Sequence, residues 1–461
     1  MPDPQSPHHT QSPHHNRGWM DHLTSVDGTN ENETHFWGKH PSRLITNSSI
    51  DSLNFTVSNG TNIYTSTIIP ALESAKHEII FVTCFWARSS ALDQLCSALV
   101  RLSARANTRP RGMPKLRVRL CFSSSSLFQK LSHTSSPAGH TYPPSKWQSL
   151  GLPPPGDLSG LDLQVKSLFF LPLSVMHPKF VIIDRQRALF PSCNLSYESW
   201  LECCLPVSGP VVTTLVDFWH HVWARNDFPP LPVTASDEVS SLTLSPPMAS
   251  PSCKTILLPS PHHRSPRFRP FSTAASPPST PLNTYLLHLF ATASKSIRLM
   301  TPNLTSPPVI DALLSALERG VNVEVITNRR MMILEQLLTS GTITEYCVWR
   351  FRRRYRQIAR SRTQRGSSSS HMEEGQAREA GTLSVGYFLP NSIYRRSHIK
   401  CTVVDEEVIV LGSGNMDRAS WFTSQELGIA LEGRQVVCDL WRAINRDESP
   451  HGEVEWSDTV K

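Results

Sequence analysis

The order helix, strand, helix, strand occurs twice in this chain, and that repeat limits the fold more than any single segment does. The first run passes from the helical pattern "IIPALESAKH" to the strand-like "EIIFVTCFWA", the helical "SALDQLCSALVRLSARA" and the strand-like "LRVRLCFS". The second answers with "LLHLFATASK", "SIRLMTPNL", "VIDALLSALERG" and "VNVEVITN", where Gly320 is placed to stop the helix before the strand. Each half then adds an apolar strand, "LQVKSLFFL" or "LSVGYFL", and after it a strand studded with polar residues. Apolar strands alternating with helices of 3.6-residue period imply sheets covered by helices. The expected fold class is therefore α/β, with a similar α/β sandwich lobe in each half.

Composition sets the boundaries. The 37 prolines in 461 residues exceed the usual share, and they gather in Pro/Ser-rich or charged segments at 1–45, 123–160, 229–281 and 359–380. The expected division is a disordered tail at 1–45 and a first lobe at 46–228 with a low-complexity insert at 123–160. A linker at 229–281 leads to a second lobe at 282–445, carrying a basic helix and insert at 347–380, and to a tail at 446–461. The His-His pairs of "SPHHTQSPHH" and "SPHHRSP" fall in the Pro/Ser-rich parts and read as tail and loop rather than metal ligands.

A formal charge of +7 suits an anionic partner such as a phospholipid surface or nucleic acid. No run approaches the roughly 20 apolar residues that span a bilayer, and the longest, "SLFFLPLSVM", is broken by Pro172. The first residues lack the apolar core of a secretory signal. The ten cysteines have no metal-binding or disulfide-framework spacing. These features lead to the expectation of an intracellular protein, cytoplasmic or peripheral to a membrane.

Two polar-studded segments carry the chemistry. "HPKFVIIDRQRALFPSCN" and "HIKCTVVDEEVIVLGSGN" share one spacing: His177, Lys179, Asp184 and Asn194 against His398, Lys400, Asp405 and Asn415. Ser192 and Ser413 precede the asparagines by two, and Trp200 and Trp421 follow them by six. One copy is a weak signal; two, one per half and with a matching asparagine offset, form a strong one. On a strand, His and Lys two apart share a face while Asp184 and Asp405 have the opposite parity, so the aspartates read as anchors for the following turns.

The paired segments resemble the His-Lys-Asp motifs of the phospholipase D superfamily, whose members include phospholipases D, cardiolipin synthases, nucleases and phosphodiesterases. "ALERGVNVEVITN" is similar to the helix-strand unit of its cardiolipin-synthase-like members. The resemblance implies one bilobal body, its lobes related by a pseudo-two-fold with the active site at their interface. It also implies that His177 is the nucleophile that forms a phosphohistidine and His398 the acid that protonates the leaving group. A phosphodiester is shielded by negative oxygens and leaves as a basic alkoxide, so fixed cations and an acid are what it needs. Lys179 and Lys400 would neutralise the non-bridging oxygens, and Asn194 and Asn415 would donate hydrogen bonds to them. No metal and no cofactor is then required. Family members hold a catalytic histidine with a carboxylate after the asparagine; Glu426 matches that position. Glu202 stands eight residues after Asn194 instead of eleven and reads equally well as a solvated loop carboxylate, and Pro191 replaces the glycine of the second copy, Gly412.

The substrate is less legible than the bond. "CVWRFRRRYRQIARSR" at 347–362 reads as a basic amphipathic helix, its stripe of Val348, Phe351, Tyr355 and Ile358 packing on the body or meeting an anionic membrane, with Trp349 suited to the interface. It favours a phospholipid substrate for a monomeric phosphodiesterase or phosphatidyltransferase. A metal-independent nuclease comes second, and a catalytically inactive lipid-binding scaffold third. Phe85 and Trp86, at the end of the first strand, read as packing before pocket lining.

Overall fold

The computed structural model describes residues 17–24, 40–126, 129, 138–170, 174–225, 231, 252–260, 276–368, 380–445 and 454–460. Strands β1 (Ile45–Ile50), β2 (Glu78–Phe85), β3 (Leu116–Ser124), β4 (Leu161–Ser167), β5 (Phe180–Ile183), β6 (Arg187–Pro191) and β7 (Trp200–Ser208) build the first half. Strand β8 (Ser252–Ser260) follows. The second half holds β9 (Ser296–Met300), β10 (Asn322–Thr327), β11 (Leu383–Phe388), β12 (Cys401–Val404), β13 (Val408–Gly412), β14 (Glu426–Glu432) and β15 (Val454–Val460).

In the first half β2, β3 and β4 run parallel, β2 also pairs antiparallel with β5, and β5, β6 and β7 form an antiparallel meander. The second half repeats this order and direction: β9, β10 and β11 are parallel, β9 pairs antiparallel with β12, and β12, β13 and β14 meander. The halves join in one continuous sheet through β7 against β1, β1 against β8 and β8 against β14, all antiparallel. Parallel neighbours need covered crossovers, and helices supply them.

Helix α1 (Arg17–Thr24) comes first, and α2 (Ser90–Asn107) crosses from β2 to β3. The Ser89 side chain caps α2 by accepting from the Leu92 N–H, and Leu92, Leu95, Leu99 and Leu102 lie buried at helical spacing. The C-terminal end of the first half carries α3 (Pro210–Trp219), and α4 (Pro281–Thr292) opens the second. There α5 (Pro307–Glu318) takes the crossover, burying Val309, Leu313 and Leu317, and ends where Gly320 takes a φ of +92°. A core shared by the halves holds Phe180, Leu201 and Cys203 with Ile399, Leu411 and Leu427.

Several boundaries differ from those the composition suggests. Strand β8 lies within the segment read as a linker, with Ile256, Leu257 and Leu258 buried and pairing on both sides. A nine-residue strand is diluted when its Pro/Ser-rich neighbours are averaged with it. For the same reason β15 appears in the expected C-terminal tail, and α1 in the N-terminal one, its Trp19 ring 5.2 Å from Tyr285. Part of the expected insert at 123–160 is ordered too, burying Trp147, Leu152 and Leu158. Most of the remaining tail, linker and insert residues, the His-His pairs included, lie outside the described residues. Among the described residues no helix is long and apolar enough to cross a membrane.

Candidate active site

Each polar segment leaves its own half and pairs with the other. The His177 backbone N–H donates to the Gln425 carbonyl at 2.9 Å, and that of His398 donates to the Leu201 carbonyl at 2.8 Å. Gln425 and Leu201 each stand immediately before a glutamate, at the start of β14 and β7. The register therefore sets His177 Nδ1 2.9 Å from Glu426 Oε2, and His398 Nδ1 2.8 Å from Glu202 Oε1. His177 and Lys179 precede β5 rather than sitting within it, as do His398 and Lys400 before β12.

Each glutamate is also held from its own half: Ser413 Oγ donates to Glu426 and Ser192 Oγ to Glu202. The same hydroxyls accept from the Leu427 and Cys203 N–H groups, at 3.0 and 2.8 Å. Both carboxylates are buried. Burial raises their pKa, but the facing histidine, its hydrogen bond and the serine outweigh it, so both lie below the ordinary glutamate value. An ionised carboxylate accepting from Nδ1–H fixes the tautomer and leaves the Nε2 lone pair available.

Burial lowers the pKa of both histidines, and the nearby lysines lower it further against the pull of the glutamates. His398 is taken down to about 3. Its side chain is 5% exposed against 14% for His177, and the Trp200 ring lies 4.8 Å from its own. Lys179 Nζ and Lys400 Nζ each donate to the backbone carbonyl of the histidine two residues before, at 3.0 and 2.7 Å. Burial first, and then Lys179, lower Lys400 to about 7. Two imidazoles, two amines and two carboxylates are thus brought to the junction of the halves.

The asparagines differ. Asn194 Oδ1 accepts from the Phe85 N–H at 3.4 Å, whereas Asn415 Nδ2 donates to Asp417 at 2.9 Å and its Oδ1 is buried without a partner. Asp184 and Asp405 stand apart from the histidines, each in the turn that follows β5 or β12. Asp184 accepts the backbone N–H groups of Lys76, His77 and Glu78, and Asp405 those of Ser294, Lys295 and Ser296. These contacts tie the turn after β5 or β12 to the entry of β2 or β9.

Glu202 is the residue that spacing undervalues. It is not a solvated loop carboxylate: it lies on β7, buried against His398. The three-residue shortfall arises because helix α8 (Arg418–Phe422) lengthens the second connection, while the first is an open loop. The tryptophans that share an offset accordingly part company, Trp200 lying on His398 and Trp421 in the core. Trp86 is core as well, its Nε1–H donating to the Leu150 carbonyl at 2.9 Å.

Residues 286–448 match the family described as "Cardiolipin synthase, PLD-like domain". In fold, the chain is similar to the phosphatidylserine synthase of Haemophilus influenzae Rd KW20, with a TM-score of 0.54 and 14% identity, over 90% of each chain. Weaker likenesses are to Nuc, a phospholipase D family member from Salmonella typhimurium, and to the polyphosphate kinase of Porphyromonas gingivalis. Nuc gives a TM-score of 0.26 and 19% identity over 38% of this chain and 90% of that one. The kinase gives 0.44 and 13% over 86% and 53%. No curated protein sequence matches the chain.

Proposed function

We propose, from the match of residues 286–448 to the cardiolipin synthase PLD-like domain, that the chain is a phospholipase-D-like enzyme that cleaves phosphodiester bonds of glycerophospholipids, as a phosphodiesterase or phosphatidyltransferase, through a covalent phosphohistidine. The observation that carries this reading is the reciprocal pairing of His177 with Glu426 and His398 with Glu202, each histidine oriented by the opposite half. One site is then built from two lobes related by a pseudo-two-fold, with 46–228 and 282–445 as the lobes.

His177 Nε2 attacks phosphorus, forming a P–N bond as the P–O bond to the leaving alcohol breaks. His398 supplies the proton that the departing oxygen takes. Burial keeps His398 neutral near pH 7, and the negative phosphodiester arriving beside it favours its protonation. Lys179 and Lys400 offset the charge on the non-bridging oxygens, with an amide N–H from Asn194 and from Asn415. In the second step water, or an acceptor alcohol, gives its proton to His398 and attacks phosphorus. The P–N bond breaks and its electrons return to His177. The greater exposure of His177 supports giving it the nucleophilic part. The family description favours a phospholipid over a nucleic acid.

The test is incubation with phospholipid vesicles and, separately, with single- and double-stranded nucleic acid, in the presence of a chelator and with His177→Asn as control. Lipid turnover that survives chelation and is lost in the variant supports the reading. Cleavage of nucleic acid alone makes the protein a nuclease, and inactivity on both makes it a scaffold.

A further inference from the structure

Helix α6 (Ile333–Ser340) is built inside out. Its buried residues are Gln336 and Ser340, 3% and 6% exposed, while Leu334 and Leu338 on its outer side are 78% and 62% exposed, with Leu337 and Met332 beside them. Gln336 is fully used within: its amide nitrogen donates to the Met331 carbonyl, and its Oε1 accepts from the Thr344 N–H and hydroxyl at 2.8 and 2.9 Å. Polar groups thus hold this helix to the body, leaving its leucines outward, the reverse of an ordinary surface helix.

The next helix, α7 (Thr344–Ser368), is ordinary by contrast. It buries Val348, Phe351 and Tyr355, so the apolar stripe read from sequence packs on the body. Its outer face adds Tyr346 and Trp349, stacked at 5.8 Å, with the guanidinium groups of Arg350 and Arg353 lying 6.0 and 5.6 Å from their rings. Arg330 and Arg356 are exposed nearby, while Arg354 pairs with Asp311. The acidic groups on these elements are Glu335 and Glu345, and Glu345 accepts the Arg330 N–H. Leucines flanked by an arginine-aromatic rim match the acyl boundary and anionic headgroups of a bilayer.

This face is tied to the site. Ser340 Oγ lies 3.1 Å from Thr305 Oγ1, which accepts from the Arg418 N–H at 3.2 Å, three residues beyond Asn415. We propose that α6 and the outer face of α7 form a docking surface for an anionic phospholipid bilayer, presenting the site to lipid in the membrane; this rests on the phospholipid reading above.

Flotation of the full chain with vesicles of phosphatidylcholine, or of phosphatidylcholine with phosphatidylglycerol, tests it. The wild type floats with the anionic vesicles, less so at high salt. Leu334→Glu with Leu338→Glu lowers partitioning at least about tenfold with an unchanged melting temperature, and Leu334→Ser with Leu338→Ser serves if the glutamates disturb folding. Arg350→Ala with Arg353→Ala lowers the preference for anionic vesicles. Undiminished flotation of the leucine variants overturns the proposal. So does a wild-type dimer that they dissociate, without vesicle binding, since a second copy then covers the face. Lipid cleavage in detergent micelles, assayed alongside, separates the two ideas: cleavage without flotation removes only the docking surface, and flotation without cleavage removes only the assigned reaction.

Discussion

Glu202 of the first half lies 2.8 Å from Nδ1 of His398 in the second, and buries its carboxylate to do so. A glutamine there can turn its amide N–H toward Nδ1, favouring the tautomer with the proton on Nε2. Glu202→Gln and Glu426→Gln are each expected to lower kcat on the order of 10²-fold or more, with smaller changes in KM. Steady-state kinetics within threefold of wild type for Glu202→Gln would show that the carboxylate does not orient a working histidine.

Asp184 and Asp405 carry a different expectation, although they complete the repeated motif. Each accepts three backbone N–H groups from a β-strand entry and takes a φ near +50°, at +51° and +53°. Asp184→Ala loses these bonds and places alanine in the left-handed region, costing about 1–3 kcal/mol. Asp184→Asn tolerates that backbone and costs less. Thermal melting ranks the two, and kcat/KM per folded molecule stays within about threefold; a hundredfold loss in Asp184→Asn with unchanged melting would move the residue into the chemistry.

The alternation of apolar strands and helices made the α/β class legible, because buried parallel strands and their crossovers leave a periodic trace. Strand parity set the aspartates apart from the histidines, but the structure separates them differently: the histidines and lysines lie before the strands and the aspartates in the left-handed turns after them. What escaped was set by contacts between distant segments. The pairing of Glu202 with His398 depends on a connection three residues shorter than the one that carries α8, and β8 declares itself only through β1 and β14 on either side. The cross-pairing of Glu202 with His398, 196 residues apart, has no local signature.

Lys400 is expected to set an alkaline limit to activity. Burial and Lys179 lower its pKa from 10.5 to about 7, so the free protein loses this positive charge as pH rises through that value. The kcat/KM profile is expected to fall there. Arginine keeps its charge throughout, so Lys400→Arg lowers the plateau and moves the alkaline fall upward by at least about one pH unit. An unmoved limb in the variant assigns the limit to another group.

Stability runs with pH in one direction. His398 takes up its proton at about 3 in the folded chain but near 6.5 when unfolded. Between those values the unfolded state binds more protons, so stability falls as pH drops from 6.5 towards 3. His398→Asn removes this contribution, and its melting temperature is expected to decline less steeply than that of wild type between pH 6.5 and 4. Parallel declines would show that the histidine is protonated in both states.

Pro191 and Gly412 end equivalent strands, opposite Cys204 and Gly428. Beyond each, the serine makes the same contacts: Ser192 to Cys203 and Glu202, Ser413 to Leu427 and Glu426. The proline therefore leaves the first glutamate as well held as the second. Gly412 has no such latitude, since a Cβ there would meet the Leu427 carbonyl oxygen and come within 2.7 Å of Gly428 Cα, both backbone atoms that cannot swing aside. Gly412→Ala must push β13 from β14 and carry Ser413 away from Glu426, lowering both the melting temperature and kcat. Pro191→Gly removes a restraint on the unfolded chain, costing about 0.4–1 kcal/mol and leaving kcat near wild type. Equal losses of kcat in the two variants, each compared at matched folded fraction, would mean that the proline itself shapes the first half of the site.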